Sequence, residues 1–262
     1  VNRSWAILFC CAAIALIVLA VDDYRHAHPQ TPNATPTPVA VATTAAPAPT
    51  PTPVAHPTTH PTSSPTTVPK ISAACASSLA ALSASPSSAA GLMPNLTNGA
   101  LTQAIFDHNQ LSYVLATAEW ETGHFATMYE YYNSADDLNQ AYDGEIGNGV
   151  YPSNDGFTYR GRGYVQLTGR ANYSQMGSLL GLDLVDNPDQ AADPFIAGEI
   201  AAIGMHKGLF TGVSLGNYIS NPTIDFVGAR AIVNDHDQAD TIAAYATHFS
   251  STLAACGGSV LK

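Results

Sequence analysis

Residues 111–123 read LSYVLATAEWETG, and their pattern is helical. Leu111, Val114, Leu115 and Ala118 recur at the spacing that lines one face of an α-helix, and Gly123 is a stop signal. Glu121 falls seven residues after Val114 and so stands almost above it, at one edge of the apolar stripe. Glu119 stands at the opposite edge, over Leu115. A carboxyl group at the boundary between a core and a cleft is partly desolvated, which favours the protonated form that a general acid needs. Solvated glutamates are common at helix ends, so position alone makes Glu121 no more than a candidate.

Outward from this helix, Asn98 to Asn109 reads as a preceding helix, and Ser78 to Ala90 as an Ala/Ser-rich, weakly helical stretch. On the other side, residues 124–156 (HFATMYEYYNSADDLNQAYDGEIGNGVYPSNDG) are irregular and rich in Tyr, Asn, Asp and Gly. Long irregular segments inside compact domains are functional or disordered, and the aromatic content here favours order. Tyr129, Tyr131, Tyr132 and Tyr142 offer flat faces that suit the apolar C–H faces of sugar rings, although some of them belong to a core on any reading. Residues 157–167 (FTYRGRGYVQL) alternate and carry two glycines, as a short β-hairpin would. Thr168 then opens a helical stretch, TGRANYSQMGSLLG, for which threonine is a suitable N-cap. Residues 182–188 read as a turn and 191–210 as a helix. A last helical stretch begins near Pro222, breaks around Asn234 to Asp237 and resumes to Leu253. The expectation is a mainly helical domain with one small β element.

Composition places this domain within the 262-residue chain. Of 18 prolines, 12 lie between Pro29 and Pro69, in a stretch with no glycine. Residues 25–70 read as a Pro/Thr-rich spacer, extended and too poor in apolar side chains to pack. His56 and His60 within it have no carboxylate or thiol neighbours, so they reflect repeat composition rather than a metal site. Residues 5–21 (WAILFCCAAIALIVLAV) are continuously apolar, with Arg3 before them and Asp22 and Asp23 after. Residues 1–24 therefore read as a cleaved secretory signal or an uncleaved membrane anchor, and either exports the rest. Residues 71–262 are the globular domain. Cys75 and Cys256 lie near its two ends, and in an exported protein such a pair suggests a disulfide. A formal net charge of −11 argues against a nucleic-acid partner and mildly against anionic polymers.

Four ordered blocks resemble family 19 glycoside hydrolases, which comprise plant-type chitinases and phage or bacterial endolysins. YVLATAEWETG (113–123) resembles the helix that ends in the catalytic glutamate, and YRGRGYVQLTGRANY (159–173) resembles the Gly-Arg-Gly segment and is the most specific. LGLDLVDNPDQAADP (180–194) resembles the segment that follows, and ARAIVNDHDQAD (229–240) the C-terminal Arg…Val-Asn block. Trp120 departs from the pattern, standing where the family usually has histidine, so the surroundings of the acid differ. The resemblance implies a mainly α, lysozyme-like (α+β) domain, helical and two-lobed, with a small β-hairpin and a central substrate cleft.

It also implies an inverting mechanism in which two carboxyl groups flank the scissile bond, about 6.5–9.5 Å apart. Glu121 matches the general acid. Glu130, nine residues on, is the choice for the base, at a spacing similar to the endolysin branch, with Glu145 the competing candidate. Thr168 matches the residue that helps hold the attacking water. Gln166, Asn172, Tyr173 and Asn234 match substrate-binding positions, where neutral amides suit sugar hydroxyl and N-acetyl groups. Arg162 and Arg230 are scarce cations, expected either to pair with the catalytic carboxylates or to form structural ion pairs. No metal or cofactor is implied; residues 235–237 read as a turn and cap rather than a calcium site.

The resulting expectation is a monomeric, endo-acting hydrolase, secreted or membrane-anchored, that cuts β-1,4 bonds of an N-acetylglucosamine-containing polysaccharide. The glutamate spacing favours peptidoglycan, and the acidic charge favours chitin. The reading from a different class is a catalytically silent carbohydrate-binding module on a tether.

Overall fold

The computed structural model describes residues 70–234 and 236–256. The segment expected to be a secretory signal or membrane anchor, and nearly all of the expected Pro/Thr-rich spacer, lie outside these residues. Along the described chain run α1 (Ala73–Ala80), α2 (Pro86–Thr102), α3 (His108–Glu121), α4 (Ala135–Tyr142), α5 (Asp155–Thr158), α6 (Arg170–Leu180), α7 (Pro194–Lys207), α8 (Leu215–Tyr218) and α9 (Ala239–Cys256). Short 3-10 turns occupy Pro188–Ala192 and Gly228–Ile232. One antiparallel pair, β1 (Ile219–Ser220) and β2 (Thr223–Ile224), closes around Asn221 and Pro222. Among the described residues no helix is long and apolar enough to cross a membrane.

Helix α3 starts where Asp107 caps it, its carboxylate accepting from the backbone N–H of Asn109 and Gln110 at 2.9 and 3.0 Å. It ends where Thr122 turns its hydroxyl back onto the Ala118 carbonyl, one residue before Gly123. The apolar stripe understates its burial: every residue from Leu111 to Glu119 is buried. Helix α9 packs along it, and α2 packs along α7. The second contact is close because Gly99 and Gly198 lie in it. A Cβ on Gly198 would stand 2.8 Å from the Leu96 carbonyl oxygen, and one on Gly99 would strike the Phe195 carbonyl. Two glycines thus let two backbones approach where any side chain would hold them apart.

Two hydrophobic clusters result. The larger joins α1, α2, α3 and α9 through Leu79, Leu96, Leu111, Leu115 and Phe249. The smaller gathers Tyr159, Leu167, Tyr173 and Met176. Helix α7 serves both, giving Ala197, Ala201 and Met205 to the first and Ile200 and Ile203 to the second. Each fully buried Leu or Ile contributes about 1.5–3 kcal/mol relative to exposure. Cys75 and Cys256 form a disulfide that ties α1 to the end of α9 across 181 residues of sequence.

Three local expectations are corrected. Residues 157–167 form only a minimal hairpin: Phe157 and Thr158 end α5, and the antiparallel pairing is confined to single bridges of Arg162 with Leu167 and with Tyr129. The regular β pair lies at 219–224, where a helix start near Pro222 was expected. Thr168 does not cap α6; Gly169, at φ 87°, holds that position.

Candidate active site

Glu121 is the last residue of α3, about a quarter exposed. Its Oε1 accepts from Arg230 Nη1 at 2.6 Å. Arg230 is buried on the 3-10 turn Gly228–Ile232, and its Nε donates to the Asp237 carbonyl at 2.8 Å. Arg230 thus pairs with the carboxylate expected to be the acid, whereas Glu130 has no arginine partner among the described residues. An arginine, rather than an apolar wall alone, is the immediate neighbour of Glu121.

Glu130 is held by the Gly-Arg-Gly segment. Its backbone N–H donates to the Gly161 carbonyl at 2.9 Å, and Gly163 N–H donates to the Met128 carbonyl at 2.8 Å. These bonds lay residues 128–130 antiparallel against 161–163. The Glu130 carboxylate then accepts from Gly161 N–H at 2.8 Å and from the Tyr142 hydroxyl at 2.7 Å. A Cβ on Gly161 would lie 2.9 Å from Gln166 Oε1 and 3.1 Å from Glu130 Cβ, so glycine here lets the amide and the carboxylate converge. Gln166 itself sits at φ 51°, a conformation that costs a non-glycine residue on the order of 1–2 kcal/mol, and its Nε2 donates to the Gly163 carbonyl. Such strain clusters at functional positions.

The remaining expected residues divide by exposure. Thr168 donates to the Gln166 carbonyl at 2.8 Å, and exposed Asn172 donates to the Thr168 carbonyl at 2.8 Å. Arg162 and Tyr173 are buried together. Arg162 donates to Tyr173, Thr158 and Asp189 at 2.8–2.9 Å, while the Tyr173 hydroxyl donates to the Arg160 carbonyl. Arg162 therefore pairs with Asp189 rather than with either proposed catalytic carboxylate, and with Tyr173 it braces the Gly-Arg-Gly segment from behind. Burial pushes the Tyr173 hydroxyl up to about 12, against the lowering influence of Arg162. Asn234 follows the 3-10 turn, its N–H on the Arg230 carbonyl. Glu145 is exposed on a turn, and its carboxylate makes no hydrogen bond among the described residues.

Other participants were not foreseen. Tyr142 is buried instead of forming a sugar platform, and its hydroxyl anchors Glu130. Burial, and then the charge of Glu130, holds that hydroxyl far above the ordinary tyrosine range. Glu119, buried in α3, accepts from Ser83 Oγ and Ala84 N–H at 3.0 and 2.9 Å and lies 3.3 Å from His124 Nδ1. His124 also meets Trp120 edge to face at 6.4 Å, which brings a histidine beside the position where the family usually places one. Beyond Glu130, Arg170 and Asp155 pair at 2.6 Å; Asp155 also accepts from Gly149 N–H, fastening the loop. Among the described residues no cluster of three His, Cys, Asp or Glu side chains is placed to hold a metal ion.

A family model described as chitinase class I, glycoside hydrolase family 19, matches residues 75–206, half of the chain. The chain belongs to glycoside hydrolase family 19. Among curated relatives, inactive chitinase-like protein 1 of Hevea brasiliensis is 40% identical over 90 residues, 33% of this chain and 28% of that protein. Endochitinase 1 of Theobroma cacao is 50% identical over 48 residues, 18% and 15% of the two chains. Chitinase 8 of Oryza sativa subsp. japonica is 64% identical over 31 residues, 12% of each. In each case the match spans less than a third of the relative. Among solved structures, chitinase C from Streptomyces griseus HUT6037 aligns with a TM-score of 0.53 at 18% identity, covering 73% of this chain and 80% of that one. That likeness is one of fold, and it agrees with the helical, lysozyme-like architecture expected of a family 19 domain. The family match stops before the block at 229–240, yet the fold carries Arg230 of that block onto Glu121.

Proposed function

We propose that this family 19 domain is a glycoside hydrolase that cleaves β-1,4 bonds of an N-acetylglucosamine-containing polymer with inversion. The observation that carries the reading is that Glu121 and Glu130 are each held by dedicated donors of different kinds. Glu121 acts as general acid, protonating the leaving glycosidic oxygen. The proton's departure leaves a carboxylate, and Arg230 stabilises that charge where it develops. Glu130 acts as general base toward water on the opposite face of the sugar. Gly161 N–H and the Tyr142 hydroxyl orient it, and Thr168 helps hold the water. Exposed Tyr129, Tyr131 and Tyr132 supply sugar-stacking faces. Glu145, with no donor to orient it, is the weaker candidate for the base.

Chitin is the substrate that the family description supports. Peptidoglycan remains the alternative, supported by the nine-residue interval between the two glutamates. Work outside the cytoplasm is supported by the Cys75–Cys256 disulfide, since such bonds persist in oxidising compartments. Reducing-end release from chitin oligomers, set beside turbidity loss of purified cell walls, tests the reading. Cleavage of either polymer supports it, and which one is cut assigns the substrate. A silent sugar-binding module is the second reading, favoured by the similarity to a protein named inactive. Binding without cleavage of both polymers, unchanged by Glu121→Gln, would establish it instead.

A further inference from the structure

Helix α3 carries a polar row beneath its proposed catalytic end. Tyr113, Thr117 and Glu121 follow one another at intervals of four residues, so they stand on successive turns of one face. Glu121 reaches solvent, whereas Tyr113 and Thr117 are each 1% exposed. Neither the Tyr113 hydroxyl nor the Thr117 hydroxyl has a hydrogen-bond partner among the described residues. Other hydroxyls at this helix behave differently. Ser112 and Thr122 turn theirs back onto the Asn109 and Ala118 carbonyls at 2.7 and 2.6 Å. Thr117, between them, does not. A buried hydroxyl left unpaired costs more than a typical hydrogen bond returns, so two on adjacent turns call for a shared partner.

The surroundings show what these hydroxyls serve. The Tyr113 ring stacks on Phe226 at 6.0 Å, in the segment that leads to the 3-10 turn Gly228–Ile232. Arg230 on that turn holds Glu121. Burial pushes the Tyr113 hydroxyl far above the ordinary tyrosine range, and the next two influences are the opposing charges of Arg230 and Glu121. The hydroxyl therefore lies in the field of both members of the pair. Thr117 is near enough to ease that ionisation, yet the two groups make no aligned hydrogen bond. Asp225 also acts on Tyr113 through its charge, but its carboxylate is engaged by Gly228 N–H at 2.8 Å. A buried water typically makes about three hydrogen bonds to polar groups that lack other partners. Two hydroxyls and the Glu121 carboxylate supply them.

We propose that Tyr113 and Thr117 are positioning residues for the acid, their hydroxyls holding one buried water that donates to the Glu121 carboxylate from the side of the core. Arg230 fixes the carboxylate from one direction and the water from another. When Glu121 gives its proton to the leaving oxygen, the water's hydrogen bond strengthens with the charge that develops. This inference rests on the reading of Glu121 as general acid, but the link between hydroxyls and carboxylate can also be measured without catalysis.

The test measures kcat and KM for the full chain carrying Tyr113→Phe, Thr117→Val or Thr117→Ser. The substrates are a chitin oligomer and the same oligosaccharide bearing a nitrophenolate, which departs without a proton. Tyr113→Phe and Thr117→Val should each lower kcat on the natural oligomer about tenfold at unchanged KM, and less than about twofold on the activated one. Thr117→Ser keeps the hydroxyl and should recover most of the loss. Equal losses on both substrates, or no loss on the natural one, overturn the proposal. Urea unfolding of Tyr113→Phe, Glu121→Gln and the double variant gives the readout independent of cleavage. Groups that share one water should show non-additive losses. Additive losses, or a Tyr113→Phe more stable than wild type, also overturn the proposal. Should Tyr113→Phe fail to melt cooperatively, Thr117→Val takes its place in both measurements. Where neither substrate is cut, the unfolding cycle decides. Non-additive unfolding beside a Glu121→Gln enzyme as active as wild type would sustain the buried link while the reading of Glu121 as acid fails.

Discussion

Arg230 donates through Nη1 to Glu121 at 2.6 Å, joining residues 109 positions apart in the chain. The pair fixes the last residue of α3 to the 3-10 turn before α9, so the carboxylate is oriented by a buried, permanently charged group. Arg230→Met should lose on the order of 3 kcal/mol of stability in urea unfolding, because a buried pair is broken and the Asp237 carbonyl loses its donor. Activity per folded molecule should fall about a hundredfold through misplacement of the acid. Glu121→Gln keeps an amide oxygen for Arg230 but leaves its buried charge without a counter-ion, so it should also unfold below wild type, by less than Arg230→Met.

The Tyr142 hydroxyl donates to Glu130 and stays protonated well into alkali, because burial and the neighbouring carboxylate both oppose its ionisation. Tyr142→Phe should leave Glu130 held only by Gly161 N–H. A hydrogen bond to a charged group is worth about 1.5–3 kcal/mol, so kcat should drop roughly tenfold or somewhat more. The alkaline limb of the wild-type pH profile should not arise from Tyr142, and its position should be unchanged in the variant.

Asp155 has its carboxyl held below the usual aspartate range, chiefly by its hydrogen bond with Arg170 and further by Gly149 N–H. A carboxyl lowered by folding contributes stability above its unfolded value, and that contribution is lost as pH falls through the folded value. Asp155→Asn should therefore melt lower than wild type at pH 7. The difference should shrink below about pH 4 and vanish once both forms are neutral. Thermal melts across that range check this.

The Cys75–Cys256 disulfide closes most of the domain into one loop. Replacing both cysteines with serine should cost about 2–5 kcal/mol by denaturant titration, with the native helix content retained at 25 °C. Reductant should reproduce the loss in wild type and change nothing in the double variant.

Much of this was legible in the sequence, and the illegible part has a physical pattern. The helix at 111–121 and its stop were readable because apolar spacing and a terminal glycine are local signals. The burial of every residue from Leu111 to Glu119 was not, since α9 covers them from more than 100 residues away. The Gly-Arg-Gly stretch alternated like a hairpin, but Arg162 took Tyr129 as one partner and Leu167 as the other. That choice depends on residues 128–130 arriving alongside. Tyr142 looked like a sugar platform because composition cannot distinguish an exposed ring from a buried one whose hydroxyl reaches a carboxylate. Thr168 was a suitable cap in isolation. A glycine at positive φ took the position because the turn after Leu167 requires that conformation.

The central claim is the division of labour between Glu121 and Glu130. Its most direct test compares Glu121→Gln and Glu130→Gln on a natural chitin oligomer and on the same oligosaccharide bearing a nitrophenolate leaving group, which departs without a proton. Glu121→Gln should lose about 10²–10⁴-fold on the natural substrate and recover most of that loss on the activated one. Glu130→Gln should be equally impaired on both. Equal impairment of the two variants on both substrates, or a Glu121→Gln enzyme as active as wild type on the natural oligomer, would contradict the assignment of Glu121 as the proton donor.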